Sequence, residues 1–166
     1  MPIFSVIDID EKLLDSAYAL VRTVMPDVTA GQWRDYASDA KSRGGLLGLA
    51  GPDDNMFGFL AWRVEHGLRR GKTLHIDQFL TFELSRSAPG RRTLYEAAEA
   101  LALDRKCKAI ELRIEKCGAP AAASTAQYWF DLGCSLDSMI FGKPVSARRI
   151  ESASCGAREG ELRRNP

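Results

Sequence analysis

Arg86, Arg91 and Arg92 crowd a short segment between two runs of opposite periodicity. Before them, TLHIDQFLTF (73–82) alternates like a strand. After them, RRTLYEAAEALAL reads as a helix opening on Arg91 and Arg92, with Leu94, Ala97, Ala98, Leu101 and Ala102 as its apolar stripe. A strand that turns tightly into a helix aims first-turn N–H groups at whatever lies above the turn. The helix dipole adds partial positive charge there, so the place suits an anion, above all a phosphate. On the strand itself, His75 and Asp77 fall on one face by alternation, where either can accept a proton or hold a cation. Glu111 and Glu115, on or after the run KAIELRI, are weaker candidates for the same work.

Positioning these residues requires a framework, and the chain has one. Residues 3–9 form a short β-branched run; Leu13, Leu14, Ala17, Leu20, Val21 and Val24 recur at helical spacing until Pro26. Thr29 is an N-cap for a second helix through Trp33, Tyr36, Ala37 and Ala40, ending at Gly44–Gly45. LLGLA and MFGFLAWRVEH read as strands, and GLRRG turns the second back onto the strand from Thr73 as an antiparallel hairpin. After the arginine-rich helix come the strand KAIELRI, a short helix capped by Ser124 or Thr125 and stopped by Gly133, and a last strand, SLDSMIFGK. The order predicts an α/β (α+β) fold: a mixed, mostly antiparallel sheet of about six to seven strands with helices on both faces. Trp33, Tyr36 and Trp62 are read as core.

The bulk properties are those of an ordinary soluble globular domain. The chain has 166 residues and a formal net charge of +1, too weak a field for a general nucleic-acid or membrane-surface role. It has no apolar run of membrane-spanning length, and MPIFSVIDIDEK lacks the basic start of a signal peptide, so a cytoplasmic location is expected. Cys107, Cys117, Cys134 and Cys155 have no Cys-x-x-Cys spacing. The two histidines, His66 and His75, cannot build a His-rich metal centre, so reduced thiols and no metal are expected. From Pro144 onward large apolar residues nearly vanish. A single domain over 1–143 and a flexible tail over 144–166 are expected.

The element order, with its phosphate turn after the fourth strand, resembles the GNAT superfamily of acetyl-CoA-dependent N-acetyltransferases over most of Met1 to Lys143. LHIDQFLT looks like that family's fourth strand, SRSAPGRRTLYEAAEALA stands in place of its acetyl-CoA loop and helix, and AIELRI looks like its fifth strand. TAQYWFDLGC resembles its late helix, and MIFGK its closing strand. The family loop runs Arg or Gln, two residues, Gly, one residue, then Gly or Ala. With Arg86 in first place, Pro89 and Arg91 stand on the glycine positions; sliding by one puts Ala88 and Gly90 there, with Ser85 in place of Arg or Gln. The Arg86 register keeps Leu80 to Arg86 gap-free and is preferred. Trp129 holds the place where the family often has a tyrosine that protonates the leaving thiolate. Tyr128 is adjacent, about 100° around the helix.

The resemblance implies acetyl transfer from acetyl-CoA to a primary amine by direct attack, with Asp77, His75 and Tyr128 as catalytic candidates. Cofactor contacts are then expected from Phe79, Leu80, Thr81, Arg86, Ser87, Ala88, Gly90, Arg91 and Arg92. The acceptor would be a small-molecule or peptide amine, and the family suggests a homodimer. The glycine losses and Trp129 keep a second reading open: a catalytically impaired GNAT-like domain that binds an acyl-CoA as a sensor or acts as a protein-interaction module.

Overall fold

The computed structural model describes residues 4–52, 55–82, 89–113 and 122–136. The chain divides into two compact units, Met1–Pro120 and Ala121–Pro166. In the first, five strands form one sheet in chain order: β1 (Ser5–Asp8), β2 (Gly44–Ala50), β3 (Met56–Gly67), β4 (Gly71–Thr81) and β5 (Ala109–Leu112). Neighbours are antiparallel except β4 and β5, which run parallel. The sheet is therefore mixed and mostly antiparallel, as the residue order predicts. Its strand count among the described residues is five rather than six or seven, because most of the expected closing strand, from Asp137 onward, and all of the tail 144–166 lie outside them.

Two helices cover one face. Asp10 accepts hydrogen bonds from the backbone N–H groups of Lys12 and Leu13 and so starts the turn into α1 (Leu14–Val24). Helix α2 (Ala30–Arg43) opens on a full capping box. Gln32 N–H donates to Thr29 Oγ1 at 3.2 Å, and Thr29 N–H donates to Gln32 Oε1 at 2.9 Å. Leu14, Ala17, Leu20 and Val21 of α1 and Trp33, Ala37 and Ala40 of α2 bury against Leu46, Phe59, Ala61 and Leu80 of the sheet. The Trp33 indole N–H donates to Leu14 O at 2.9 Å and ties the two helices together; Trp33 is core, as expected.

Helix α3 (Pro89–Asp104) covers the other face. Leu94, Ala98 and Ala102 pack on Leu49, Leu60, Trp62, Leu74 and Ile76. The helix begins at Pro89, two residues before the expected start. Proline fits the first helical position, since its fixed φ suits the turn and the N–H it lacks has no intrahelical acceptor there. Arg105 sits over the Trp62 ring, 5.3 Å from the centroid, and a Cβ on Gly45, across the ladder from Trp62, would lie 2.9 Å from its indole nitrogen.

The glycine pair 44–45 does more than stop α2. The helix passes directly into β2 at Gly44, and a Cβ there would lie 2.7 Å from the Arg63 Cα and 2.8 Å from the Trp62 carbonyl carbon. The β3–β4 hairpin closes at Gly67 opposite Gly71, with Gly71 at φ +70. In the second unit, α4 (Ala122–Asp131) starts ahead of Ser124 and Thr125, which are therefore inside the helix rather than its caps. It ends as expected at Gly133, φ +83, with Cys134 N–H donating to Trp129 O at 3.0 Å.

Candidate functional site

Strand β4 carries one residue too many for its partner. Ile76 opposes Trp62 and Gln78 opposes Ala61, so Asp77 is the extra residue of a β-bulge. Before it, Leu74 and Ile76 face α3; after it, Phe79 still faces α3 while Leu80 joins the α1/α2 core. A bulge bends the strand and sharpens its twist, and bulges gather beside functional sites for that reason.

The bend falls where β4 and β5 part. Their pairing runs from Thr73 opposite Ala109 to Ile76 opposite Leu112, and Arg113 N–H donates to Ile76 O at 3.0 Å. Beyond that rung β4 stays paired with β3 as far as Thr81, and Phe82 N–H adds a further bond to Phe57 O at 2.7 Å. Among the described residues no strand pairs with β4 on its other side after Ile76. Phe79, Leu80 and Thr81 thus follow the last described rung that β4 shares with β5.

Helix α3 begins just past that strand end. Gly90 is buried in its first turn, and Arg91 reaches back to donate from Nε to Thr81 Oγ1 at 3.4 Å. In a helix starting at Pro89, the amides of Gly90 and Arg91 belong to the turn whose N–H groups point outward along the axis. Arg92 points along the helix surface, donating from Nε to Glu96 at 3.2 Å, and both side chains are well exposed. Arg86, Ser87 and Ala88 lie outside the described residues.

On the α1/α2 side of the sheet, one rung crosses three strands as Arg63, His75 and Glu111. Arg63 Nε donates to Asp77 Oδ2 at 3.0 Å, and its NH1 donates to Glu65 Oε1 at 2.9 Å. The His75 imidazole is flanked by two carboxylates: Glu65 Oε2 lies 3.6 Å from its Nε2, and Glu111 Oε2 lies 3.5 Å from its Nδ1. Arg63, His75 and Asp77 are mostly buried, and the two glutamates are about half exposed. His75 and Asp77 share one side of the sheet, on either side of Ile76, which faces α3, and Arg63 is a neighbour of both.

Tyr128 stands on α4, half-buried, with its ring 5.3 Å from that of Trp129 in an edge-to-face pair. It belongs to the unit Ala121–Pro166, whereas β4 and α3 belong to Met1–Pro120. Arg63 and Glu65 are the members of the β-sheet cluster that sequence reasoning missed. The signal was available: counting outward from the hairpin turn, Gly67 opposite Gly71, puts Arg63 opposite His75. Among the described residues no group of three or more His, Cys, Asp or Glu is arranged to hold a metal ion, and no helix is long and apolar enough to cross a membrane.

No protein-family model matches the chain, and no curated protein matches it in sequence. Solved structures do match. A transcriptional regulator from Bacillus halodurans aligns with TM-score 0.70 at 14% identity, covering 86% of this chain and 100% of that one. An aminoglycoside N-acetyltransferase in complex with CoA aligns with TM-score 0.68 at 11% identity, covering 87% and 96%. A glucosamine-6-phosphate N-acetyltransferase from Arabidopsis thaliana aligns with TM-score 0.64 at 13% identity, covering 87% and 99%. The chain thus has the fold of the GNAT N-acetyltransferases.

Proposed function

We propose that the chain is an acetyl-CoA-dependent N-acetyltransferase acting on a primary amine. The observation that carries this reading is the junction of three features at one point: the bulge at Asp77, the end of the described β4–β5 pairing at Ile76, and the start of α3 at Pro89. An extended pantetheine arm can run beside the end of β4 at Leu80 and Thr81 as a strand would. The first turn of α3 and the Arg91 guanidinium offer polar groups and positive charge suited to a pyrophosphate, and Arg86, Ser87 and Ala88 precede that helix in sequence. Pro89 fits the first helical position, since the N–H it lacks has no intrahelical acceptor there.

In the reaction the amine nitrogen forms a bond to the thioester carbonyl carbon. The oxyanion is held by a backbone N–H near Leu80, and the C–S bond then breaks to release the coenzyme A thiolate. The ammonium form of the acceptor must lose a proton first. His75 is the better candidate for taking it, since Asp77 is engaged by Arg63. Tyr128 or water returns a proton to the thiolate. The solved aminoglycoside and glucosamine-6-phosphate N-acetyltransferases of this fold support a small-molecule amine acceptor. The acetyltransferase domain is taken to run over 1–143, with 144–166 as a tail.

A thermal-shift titration tests the reading. Ligand at a hundredfold its Kd adds about 2.7 kcal/mol to the native state, roughly 5–10 °C for a chain of this size. No shift at millimolar acetyl-CoA sinks the proposal. A shift accompanied by thiol release with at least one primary amine supports the enzyme, whereas a shift without release across a broad amine panel supports an acyl-CoA-binding module instead.

A further inference from the structure

One end of the first unit carries a charge that the proposed reaction does not use. The β3–β4 hairpin closes there at Gly67 and Gly71, α3 ends there at Asp104, and β5 begins there, with Lys108 N–H donating to Lys72 O at 2.7 Å. The hairpin contributes Arg69, Arg70 and Lys72, and the α3–β5 connection contributes Arg105, Lys106 and Lys108. Across residues 66–72 and 104–108 the sole carboxylate side chain is that of Asp104, which pairs with Arg105 at 3.6 Å. Among the described residues, Arg69, Lys72, Lys106 and Lys108 have no carboxylate partner. The Lys108 side chain runs back toward the hairpin turn: a Cβ on Gly71 would lie 3.6 Å from its Cδ and 4.0 Å from its Nζ. Arg105 and Lys106 complement the C-terminal end of the α3 dipole, but the hairpin cations stand at no helix end. Like charges gathered without counter-charges repel one another, and an anionic surface relieves that repulsion.

Apolar side chains accompany the cations. Leu68, in the turn beside Arg69, is fully exposed, and Leu103, in the last turn of α3, is 77% exposed. We propose that this end of the domain docks on an anionic membrane surface, with Leu68 entering the headgroup layer while the cations of the hairpin and of 105–108 meet acidic lipid headgroups. An apolar tip flanked by cations supplies both contributions that peripheral attachment draws on, buried apolar area and attraction to anionic lipid. A nucleic-acid backbone would use the cations alone and leave Leu68 in water. The net charge of +1 conceals the patch, because it averages these residues against carboxylates elsewhere in the chain. The start of α3 lies a 16-residue helix away, about 24 Å, so docking here leaves the candidate cofactor end uncovered.

Cosedimentation of the full chain with sucrose-loaded vesicles tests this with no assay of acetyl transfer, so the two readings stand or fall separately. The chain should bind vesicles of about three parts phosphatidylcholine to one part phosphatidylserine, more weakly as salt rises, and should not bind phosphatidylcholine alone. Arg69→Glu together with Lys108→Glu should lower the partition coefficient about thirtyfold or more, and Leu68→Ser about tenfold. All three residues are exposed, so these substitutions open no cavity, and a thermal melt checks folding. Lys12→Glu together with Arg22→Glu makes the same change in net charge at exposed positions before and on α1, and should stay within about threefold of the native chain. No binding to the mixed vesicles overturns the proposal. So does an equal loss in the control pair, which would make net charge the cause, or unchanged binding in Leu68→Ser. A tighter complex with a duplex oligonucleotide, left intact by Leu68→Ser, would assign the patch to nucleic acid and overturn the proposal as well.

Discussion

Deleting Asp77 separates the bulge's effect on the sheet from its effect on the site. Strand pairing on either side of the bulge already agrees in facing: Ile76 and Trp62 both face α3, as do Phe79 and Leu60, while Leu80 and Phe59 both enter the α1/α2 core. Joining Ile76 directly to Gln78 therefore yields a regular ladder with every side chain on its present face. No buried residue changes sides, so no core loss of the kind that follows a register slip is incurred. The interaction lost is the Asp77–Arg63 pair, and Arg63 keeps Glu65 as a partner. A partly exposed ion pair is worth about 1 kcal/mol or less. The stability change should stay within about 2 kcal/mol, roughly 4–8 °C or less in Tm. The straightened strand, however, loses the bend that accompanies its departure from β5 after Ile76. Acetyl-CoA affinity should fall at least tenfold, about 1.4 kcal/mol. Urea melts measure the first quantity and calorimetric titration the second. Asp77→Ala is the control: it removes the carboxylate but keeps the extra backbone residue, and acetyl-CoA affinity should hold within twofold. If the deletion variant binds acetyl-CoA as tightly as the native chain, the bulge does not build the site. If it fails to fold, the facing argument is wrong.

Two further substitutions probe the frame behind the site. Gly44→Ala drives a methyl into the Trp62–Arg63 backbone of the adjacent strand, where only main-chain movement of more than about 0.5 Å relieves the clash. A loss of about 3 kcal/mol or more is expected in chemical denaturation, and a loss below 1 kcal/mol would mean that the α2-to-β2 junction is looser than it looks. Lys106 ends α3 at φ +54, with Cys107 N–H donating to Ala102 O at 2.8 Å. Lys106→Gly relieves a left-handed residue at a cost in unfolded-state entropy, for a net gain of about 0.5–1 kcal/mol seen as a raised Tm; a lowered Tm would contradict that strain argument.

What the sequence revealed and what it concealed divide along a physical line. Local chemistry was legible. Thr29 three residues before Gln32 is a capping box wherever it precedes a helix, Gly67 and Gly71 around LRR make a tight hairpin, and Gly133 stops a helix. The strand–turn–helix around the arginines was legible for the same reason. The bulge was not, because Asp77 is an ordinary strand-end residue by type, and the extra residue shows only when β3 is laid beside β4. The roles of Arg63 and Glu65 were hidden in an apolar strand run, since their meaning comes from cross-strand partners rather than from their own neighbours. Helix α3 starts two residues, and α4 three or four, ahead of where the sequence points, because proline and alanine extend a first turn without a capping side chain to mark it.

The aromatic residues at the centre of each layer have a spectroscopic consequence. Trp33 lies between α1, α2 and the sheet; Trp62 lies under α3, across from Gly45 and beneath Arg105; Trp129 is buried on α4 in the second unit. These are all the tryptophans in the chain, so each compartment contains its own intrinsic fluorophore. Replacing them two at a time with phenylalanine produces three single-emitter proteins whose denaturation curves report the compartments separately. Coincident curves would mark one cooperative unit and staggered curves a sequence of openings, and acetyl-CoA added to each would show which compartment its binding energy reaches.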